Sequence, residues 1–358
     1  MSSTRSTDVL QALSGAGVSI WLDDLSRQRI NSGNLADLIR DRHVKGVTSN
    51  PTIFSHALEH AEDYDEQVRA LAGRGASVQD AVREITVADV QLACEVFRAV
   101  WERTGGVDGR VSLEVDPRLA HQTGATLAQA AELWKLVDRP NLMIKSPATP
   151  EGLPAITGAL ADGISVNITL VFSVQRYREV MAAFFAGLEH AKANGHDLAT
   201  IASVASFFVS RGDTEVDKRL DAIGTEQAAA LRGQAAVANA RLAYAAYEQE
   251  FATPRWAGLE QAGARPQRPL WASTGVKNPA YPDTKYVDDL VGAHTVNTMP
   301  LDTLKAFGDH GHLSGPTAQK DPSEDLEALA KAGLDMTEIT EKLLADGVTQ
   351  FIDAMDRL

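Results

Sequence analysis

The sequence contains very little cysteine and no hydrophobic run long enough to cross a membrane. Its 358 residues include one cysteine, Cys94, which excludes a disulfide within the chain and fits a reducing compartment. Cys94 shares a helical stripe with Val90, Phe97 and Trp101, a pattern more typical of core packing than of catalysis. The opening residues Met-Ser-Ser-Thr-Arg lack the apolar stretch of a signal peptide. We therefore predict a cytoplasmic protein without a membrane partner.

Positive charge is also scarce. Thirty-four lysines and arginines stand against 48 aspartates and glutamates, giving a net charge of -14 and a pI of about 5.1. Such a balance argues against nucleic-acid binding, so any bound phosphate must rely on a few local cations. The histidines are scattered apart from His310-Gly-His312, and no glycine-rich loop precedes a Lys-Ser/Thr pair. We expect no metal site and no cofactor.

Apolar strand-like segments alternate with helical ones along the whole chain. This alternation predicts parallel strands joined by right-handed helical crossovers, and eight strands favour closure into a (β/α)8 barrel. A doubly wound open sheet is the alternative, but its glycine-rich fingerprint is missing after the first strand. We predict one TIM-barrel domain over residues 1–358. The predicted strands are 18–23, 44–51, 109–115, 141–147, 163–169, 200–206, 270–273 and 295–300.

Extra helices are predicted at the N-terminus, before strand seven and at the C-terminus. The first covers residues 7–14, and an alanine-rich stretch over 215–250 is longer than a barrel helix needs. Two or three helices are expected between strands two and three. In the last helix, Leu344, Val348, Phe351 and Met355 recur at helical spacing, so this helix should pack an apolar face onto the body. Other predicted helices cover 34–41, 125–136, 174–193, 285–291, 301–307 and 323–332.

Lys145 ends the short apolar run Asn141-Leu-Met-Ile-Lys145-Ser-Pro147. Pro147 disfavours a helix before it, so the run is typical of a buried strand that stops there. Desolvation disfavours the charged form of an ammonium, and a free amine can form a Schiff base with a carbonyl. The alternative is a strand-end lysine whose charge reaches solvent.

The carboxyl ends of the predicted strands favour the catalytic interpretation, because they meet at one mouth of a barrel. A carboxylic acid is needed to move protons in Schiff-base chemistry, and Glu114 and Asp23 can divide that work. Thr169 can hold a water, and Asn50 and Asn167 can bind sugar hydroxyls. A single polar strand end is usually only a helix cap. The complete set reads Asp23, Thr48 to Asn50, Glu114, Lys145, Asn167, Thr169, Ser206, Ser273 and Asn297.

Two cations follow late strands, where barrel enzymes commonly bind phosphate. Arg211 lies just beyond strand six, and Lys277 lies just beyond strand seven. Either could instead be a solvated surface charge.

Seven segments, in order from strand one to strand seven, together resemble the transaldolase family. They are Ile-Trp-Leu-Asp23-Asp-Leu-Ser-Arg, Gly-Val-Thr48-Ser-Asn50-Pro-Thr-Ile-Phe, Val-Ser-Leu-Glu114-Val-Asp-Pro-Arg, Leu-Met-Ile-Lys145, Ser-Val-Asn167-Ile-Thr169-Leu-Val-Phe-Ser, Ser206-Phe-Phe-Val-Ser-Arg211 and Trp-Ala-Ser273-Thr-Gly-Val-Lys277. The resemblance implies metal-free transfer of a dihydroxyacetone unit from sedoheptulose 7-phosphate to glyceraldehyde 3-phosphate, giving erythrose 4-phosphate and fructose 6-phosphate. It also implies sugar-phosphate substrates and a monomer or homodimer.

By position, the resemblance implies that Lys145 is the Schiff-base lysine. Glu114 would act through a water held with Thr169, and Asp23 would be the base in carbon–carbon cleavage. Asn50 and Asn167 would hold the dihydroxyacetone hydroxyls and Arg211 the phosphate, with Thr48, Ser206 and Ser273 as further binding residues.

One departure concerns the second phosphate ligand. Shorter relatives carry arginine where this chain has Gly275, and Lys277 is the candidate replacement. Two alternatives remain at this stage. One is an aldolase that releases free dihydroxyacetone, although such relatives tend to carry Gln and Tyr where this chain has Glu114 and Phe208. The other is a catalytically silent barrel that serves as a scaffold.

Overall fold

Eight parallel strands form a closed barrel in chain order, with β8 pairing back onto β1. The computed structural model describes residues 8–59 and 61–358. The strands are β1 (Val18–Leu22), β2 (Gly46–Val47), β3 (Arg110–Glu114), β4 (Leu142–Pro147), β5 (Val166–Val171), β6 (Ser203–Phe208), β7 (Arg268–Ala272) and β8 (Thr295–Met299). The predicted (β/α)8 fold is confirmed.

Helices surround the barrel and cover its ends. They are α1 (Val9–Gly15), α2 (Arg27–Asn31), α3 (Asn34–Asp41), α4 (Pro51–Glu59), α5 (Asp65–Gly73), α6 (Val78–Val96), α7 (Arg98–Arg103), α8 (Thr123–Val137), α9 (Gly152–Ala161), α10 (Val174–Ala193), α11 (Ser210–Ile223), α12 (Glu226–Ala229), α13 (Ala235–Glu250), α14 (Pro254–Gln261), α15 (Lys285–Asp288), α16 (Leu301–His310), α17 (Ser323–Lys331) and α18 (Met336–Asp356). Short 3-10 turns lie at Ala61–Tyr64, Pro117–Leu119, Leu198–Thr200 and Thr317–Gln319.

Several predicted boundaries were wrong. The second strand keeps only two residues, and four helices (α4 to α7) follow it rather than two or three. The alanine-rich stretch is three helices, because Gly224 and Gly233 adopt left-handed backbone with φ of 71°. The short helices α2 and α14 were not predicted. Thr7, the predicted start of the first helix, lies outside the described residues, as do His60 and the opening Met-Ser-Ser-Thr-Arg.

Alternation along the strands builds two apolar layers. Buried side chains that include Trp21, Met143, Val204, Leu270 and Val296 form one cluster in the barrel interior. Their sequence neighbours, such as Ile20, Leu22 and Ile144, belong to a separate cluster with the helices. Gly46 is required by this packing, because a Cβ there would lie 2.6 Å from the Trp21 ring.

The amino end of the barrel is sealed by a buried polar network around Asp108. Its carboxylate accepts hydrogen bonds from Ser19 Oγ at 2.7 Å and from Trp21 Nε1 at 3.1 Å. Arg268 pairs with the same carboxylate at 3.0 Å. With this end filled, substrate access is left to the carboxyl ends of the strands.

The structure also bears on two expectations about the helices, the packing of Cys94 and the presence of a membrane-spanning helix. Cys94 is fully buried, and burial raises the pKa of its thiol to about 12, which makes it an unreactive core residue. No helix in residues 8–59 and 61–358 is both long and apolar enough to cross a membrane.

Candidate active site

Lys145 and Glu114 form a buried ion pair at the carboxyl end of the barrel. The two residues are register partners on β4 and β3, and Lys145 is in turn the register partner of Asn167 on β5. Lys145 Nζ lies 3.2 Å from Glu114 Oε2 and donates a hydrogen bond to the Ser49 carbonyl at 3.1 Å. The lysine is 3 % exposed, so its amine is enclosed within the mouth rather than extended into solvent.

A cavity of about 370 Å³ opens above this pair. Most of the predicted site residues line it, namely Asp23, Thr48, Asn50, Lys145, Ser206, Arg211, Ser273 and Lys277. Glu114 lies beside Lys145, whereas Asn167 and Thr169 are fully buried in β5. The volume suits a small polar substrate.

A second cavity of about 380 Å³ shares Asn50 with the first and is also lined by Glu114. Its arginines are already paired, Arg83 with Asp80 at 2.6 Å and Arg118 with Asp116 at 2.6 Å. Lys145 does not line it. The first cavity, in contrast, is lined by Lys145, Arg211 and Lys277.

The surroundings of Glu114 favour the protonated form of its carboxyl group. Burial raises the pKa of its carboxyl above the usual range, and this effect outweighs the opposing charge of Lys145. Asp23 contributes a smaller effect in the same direction as burial. A carboxyl group whose neutral form is favoured can serve as a general acid.

Asp23 is the second buried carboxyl at the mouth. Burial raises its pKa, while Lys145 and the hydrogen bond from Thr48 oppose the rise. Thr48 Oγ1 donates to Asp23 Oδ1 at 2.7 Å and also lies 2.7 Å from Thr298 Oγ1. The two threonine hydroxyls therefore hold the carboxylate in one orientation.

Asp23→Asn should stabilise the fold at neutral pH. In the folded protein the pKa of Asp23 is raised above its usual 3.8. The wild type therefore loses stability as pH rises from about 3.8 through the pKa of the folded state. The amide does not ionise, so this loss of stability is absent from the variant. We expect the variant to be more stable than the wild type near neutral pH and to differ little from it near pH 4.

Urea unfolding from about pH 4 to about pH 8 measures this gain. Asp302→Asn is the matched control, since the Asp302 side chain is 98 % exposed. If the gain in unfolding free energy of Asp23→Asn shrinks as pH rises, the surroundings stabilise the ionised carboxylate instead of destabilising it.

Amide and hydroxyl groups form a polar chain below the cavity. Ser206 Oγ donates to Asn167 Oδ1 at 2.7 Å, and Asn167 Nδ2 donates to Ser112 Oγ at 3.0 Å. Thr169 Oγ1 is buried without a hydrogen-bond partner among the described residues. Asn50 has a capping role as well, because its Oδ1 accepts from the Ile53 backbone N–H at 3.0 Å; its amide nitrogen remains for a ligand.

Arg211 lies in the first turn of α11, directly after β6. Its guanidinium carbon is 5.2 Å from the centroid of the Phe208 ring and 5.9 Å from that of Phe351. Burial lowers the pKa of the group. Within residues 8–59 and 61–358, no carboxylate forms an ion pair with it, and its Nη1 is buried without a hydrogen-bond partner. The guanidinium on the cavity wall thus has no directly paired carboxylate, although the charges of Asp23 and Glu114 act on it from farther away.

Lys277 and Ser273 belong to the segment that follows β7. Ser273 Oγ lies 2.8 Å from Ser210 Oγ, and its backbone is left-handed with φ of 54°. Beyond Lys277, Tyr281 donates a hydrogen bond to Asp217 of α11 at 2.5 Å. The segment is thereby tied to the helix that carries Arg211.

The polar residue predicted for the cavity at the end of the eighth strand was wrong. Asn297 does not line the cavity; its amide donates to the Tyr286 carbonyl at 3.3 Å on the outside of the barrel. Thr298 lines the cavity instead. Placing Val296 inward as an apolar barrel residue would have put Thr298 on the same face, since side chains alternate along a strand. Gln350 and Phe351 of α18 also line the cavity and were missed, because no local signal places that helix over the mouth.

Metal binding has no structural candidate in the described part of the chain. No group of three or more histidine, cysteine, aspartate or glutamate side chains there could hold an ion.

Comparison with known proteins establishes the family. The model of the transaldolase/fructose-6-phosphate aldolase family matches residues 20–358. The chain belongs to this family. It is 62% identical over 352 residues to the transaldolase of Saccharopolyspora erythraea, covering 98% of this chain and 95% of that protein. It is also 62% identical to the transaldolase of Thermobifida fusca, with 98% and 96% covered. The transaldolase of Mycobacterium bovis is 58% identical over 346 residues, with 96% and 93% covered.

Within the transaldolase/fructose-6-phosphate aldolase family, the local structure at Gly275 bears on phosphate binding. A Cβ at this position would lie 3.1 Å from Pro300 Cγ, so a longer side chain would require Pro300 to shift. Lys277, two residues later, lines the cavity without that conflict.

Proposed function

We propose that this protein is a transaldolase that moves a dihydroxyacetone unit from sedoheptulose 7-phosphate to glyceraldehyde 3-phosphate. The products are erythrose 4-phosphate and fructose 6-phosphate. The observation that carries the proposal is the enclosed Lys145–Glu114 pair, 3.2 Å apart, whose lysine lines a cavity together with Asp23 and Arg211. These groups would supply a nucleophile, an acid, a base and a phosphate ligand at one mouth of the barrel.

In the proposed reaction, the Lys145 amine attacks the ketone carbon of the donor. Glu114 donates a proton to the oxygen, water leaves, and an iminium forms between Lys145 and the sugar. The raised pKa of Glu114 favours the protonated form that this step requires. Thr169 would hold the water that Glu114 uses, a role supported by its buried and unpartnered hydroxyl.

Asp23 then takes the proton from the hydroxyl next to the bond that breaks. The carbon–carbon bond cleaves, the aldehyde leaves, and the electron pair passes into the iminium. The three-carbon unit stays bound to Lys145 until its carbon attacks the acceptor aldehyde, and Asp23 returns the proton. Hydrolysis of the new iminium frees the product and the amine.

The remaining polar residues are proposed to bind the substrate. Asn50 and Asn167 would hold the hydroxyls of the three-carbon unit, with Ser206 fixing Asn167 through the 2.7 Å hydrogen bond. Arg211 would bind the phosphate as the cation on the cavity wall that has no direct ion pair among the described residues. Lys277 and Ser273 would assist it, and Thr48 would orient Asp23.

An assay with and without an acceptor tests the proposed activity. With fructose 6-phosphate as donor, we expect turnover only when erythrose 4-phosphate is present. Steady release of free dihydroxyacetone without an acceptor would identify an aldolase instead, and no turnover in either assay would favour a silent scaffold.

Arg211→Ala should weaken phosphorylated donors selectively. Loss of a charge-assisted contact worth roughly 1.5–3 kcal/mol should raise KM for fructose 6-phosphate by about 10- to 100-fold. KM for fructose should change little, and Lys277→Ala should show the same selectivity more weakly. Steady-state kinetics with both donors measures this. Lys218→Ala, which removes an exposed cation from the same helix, is the control. Equal losses for both donors would make Arg211 structural.

We further propose that the whole chain works as one domain in the cytoplasm, as a monomer or homodimer. The closed barrel, with α1 before it and α18 over its mouth, supports a single domain. The single buried thiol, which requires no oxidising compartment, supports the cytoplasm.

A further inference from the structure

One face of the C-terminal helix α18 forms part of the cavity wall. Phe351 is 2 % exposed, and its ring centroid lies 5.9 Å from the guanidinium carbon of Arg211 and 5.7 Å from Lys145 Nζ. Phe208, at the end of β6, presents a second ring 5.2 Å from the same guanidinium. Arg211 therefore contacts one aromatic ring from the barrel and one from the end of the chain.

The two aromatic rings can orient a buried guanidinium without neutralising the charge that a phosphate needs. A buried guanidinium is ordinarily held by a carboxylate, which orients it but neutralises its charge. No carboxylate pairs directly with Arg211 in the described ranges, although Asp23 and Glu114 favour its charge from farther away, and burial works against that charge. Aromatic faces attract and orient a cation without cancelling that charge.

Gly347, one turn before Phe351, allows the helix to approach. A Cβ at Gly347 would lie 2.9 Å from Leu170 Cδ2 and 3.6 Å from Arg211 Nη1. Leu170 is 1 % exposed and belongs to the same buried cluster as Phe351. A larger residue at 347 therefore requires either the Leu170 side chain or α18 to shift.

We propose that Phe351 is a positioning residue that holds the Arg211 guanidinium toward the substrate phosphate, and that Gly347 is small so that Phe351 can reach it. The C-terminal helix then determines how strongly phosphorylated substrates are preferred. This inference rests on the proposed function, in which Arg211 binds phosphate.

Phe351→Leu tests the role, because leucine keeps apolar bulk but removes the aromatic face. We expect KM for fructose 6-phosphate to rise about five- to twentyfold, as lost cation–π contact implies, with kcat within about twofold. KM for unphosphorylated fructose should not change. Ile339→Val is the matched control, since it trims a fully buried side chain at the other end of the same helix. It should leave both KM values as in the wild type.

Gly347→Ala provides the second variant. It should also raise KM for fructose 6-phosphate and spare KM for fructose, whereas Gly258→Ala should change neither, because a Cβ at Gly258 meets nothing within 4 Å. In the Arg211→Ala background, Phe351→Leu should add almost nothing, since the group it positions is gone.

Equal effects of Phe351→Leu on both donors, or a full effect without Arg211, would overturn the proposal. Borohydride labelling of Lys145, measured in the wild type and every variant, tests the proposed function separately. Loss of label in the wild type refutes that function, whereas intact label with unselective KM changes refutes only the role of Phe351.

Discussion

Lys145→Arg is expected to abolish both turnover and covalent labelling. In the wild type, borohydride added with a ketose donor should reduce the iminium and leave a three-carbon unit on Lys145. Arginine keeps a positive charge near Glu114, which lies 3.2 Å from the lysine Nζ in the wild type. Its guanidinium does not release a proton near neutral pH and cannot attack a carbonyl. The variant should therefore fold, retain the buried charge and still be inactive.

Peptide mass spectrometry after reduction locates the adduct. Lys277 is the informative competitor, because it is the other lysine that lines the same cavity. Lys305→Arg, at a side chain that is 61% exposed, should label and turn over like the wild type. An adduct on Lys277, or full turnover by Lys145→Arg, would overturn the proposed mechanism.

The barrel could be predicted because its signals are local. Each strand is a short run of mostly buried residues, and β4 stops at Pro147 as the sequence indicates. The helices α3 and α10 have the predicted bounds, since their amphipathic spacing and flanking residues mark both ends.

The segment before β7 could not be divided correctly from sequence. Its alanine content favours helix throughout, so composition does not show where the chain turns. The breaks depend on distant partners instead. Asp213 accepts from the Ala236 backbone N–H at 2.7 Å, and Asp217 accepts from the Gly233 backbone N–H at 2.9 Å. These buried carboxylates hold the turn between α12 and α13 against α11.

The same distinction between local and distant signals applies to the candidate site. Polar strand ends could be chosen in advance because a closed parallel barrel brings its carboxyl ends together. The contribution of α18 could not, because apolar spacing predicts that Phe351 is buried but not that its ring lies beside Arg211. Thr298 was missed because the face of β8 that carries Asn297 was assigned to the cavity.

Glu114→Gln should slow every proton-transfer step while leaving the nucleophile in place. The amide has the size and shape of the carboxyl but cannot donate the proton that the departing oxygen needs. Burial raises the pKa of Glu114, so the wild type retains that proton at higher pH than an ordinary glutamate. We expect turnover to fall by roughly 10²–10⁴, and borohydride should still label Lys145, only slowly.

The rate of labelling separates this role from a structural one. When labelling with fructose 6-phosphate is quenched at successive times, Glu114→Gln should reach the wild-type extent of labelling after a long delay. Lys145→Arg should never be labelled. Glu327→Gln, at a side chain that is 70% exposed, should match the wild type in both rate and extent. If Glu114→Gln labels at the wild-type rate, proton transfer during iminium formation does not pass through Glu114. Asp23, the other buried carboxyl at the mouth, would then be the group to test as the acid.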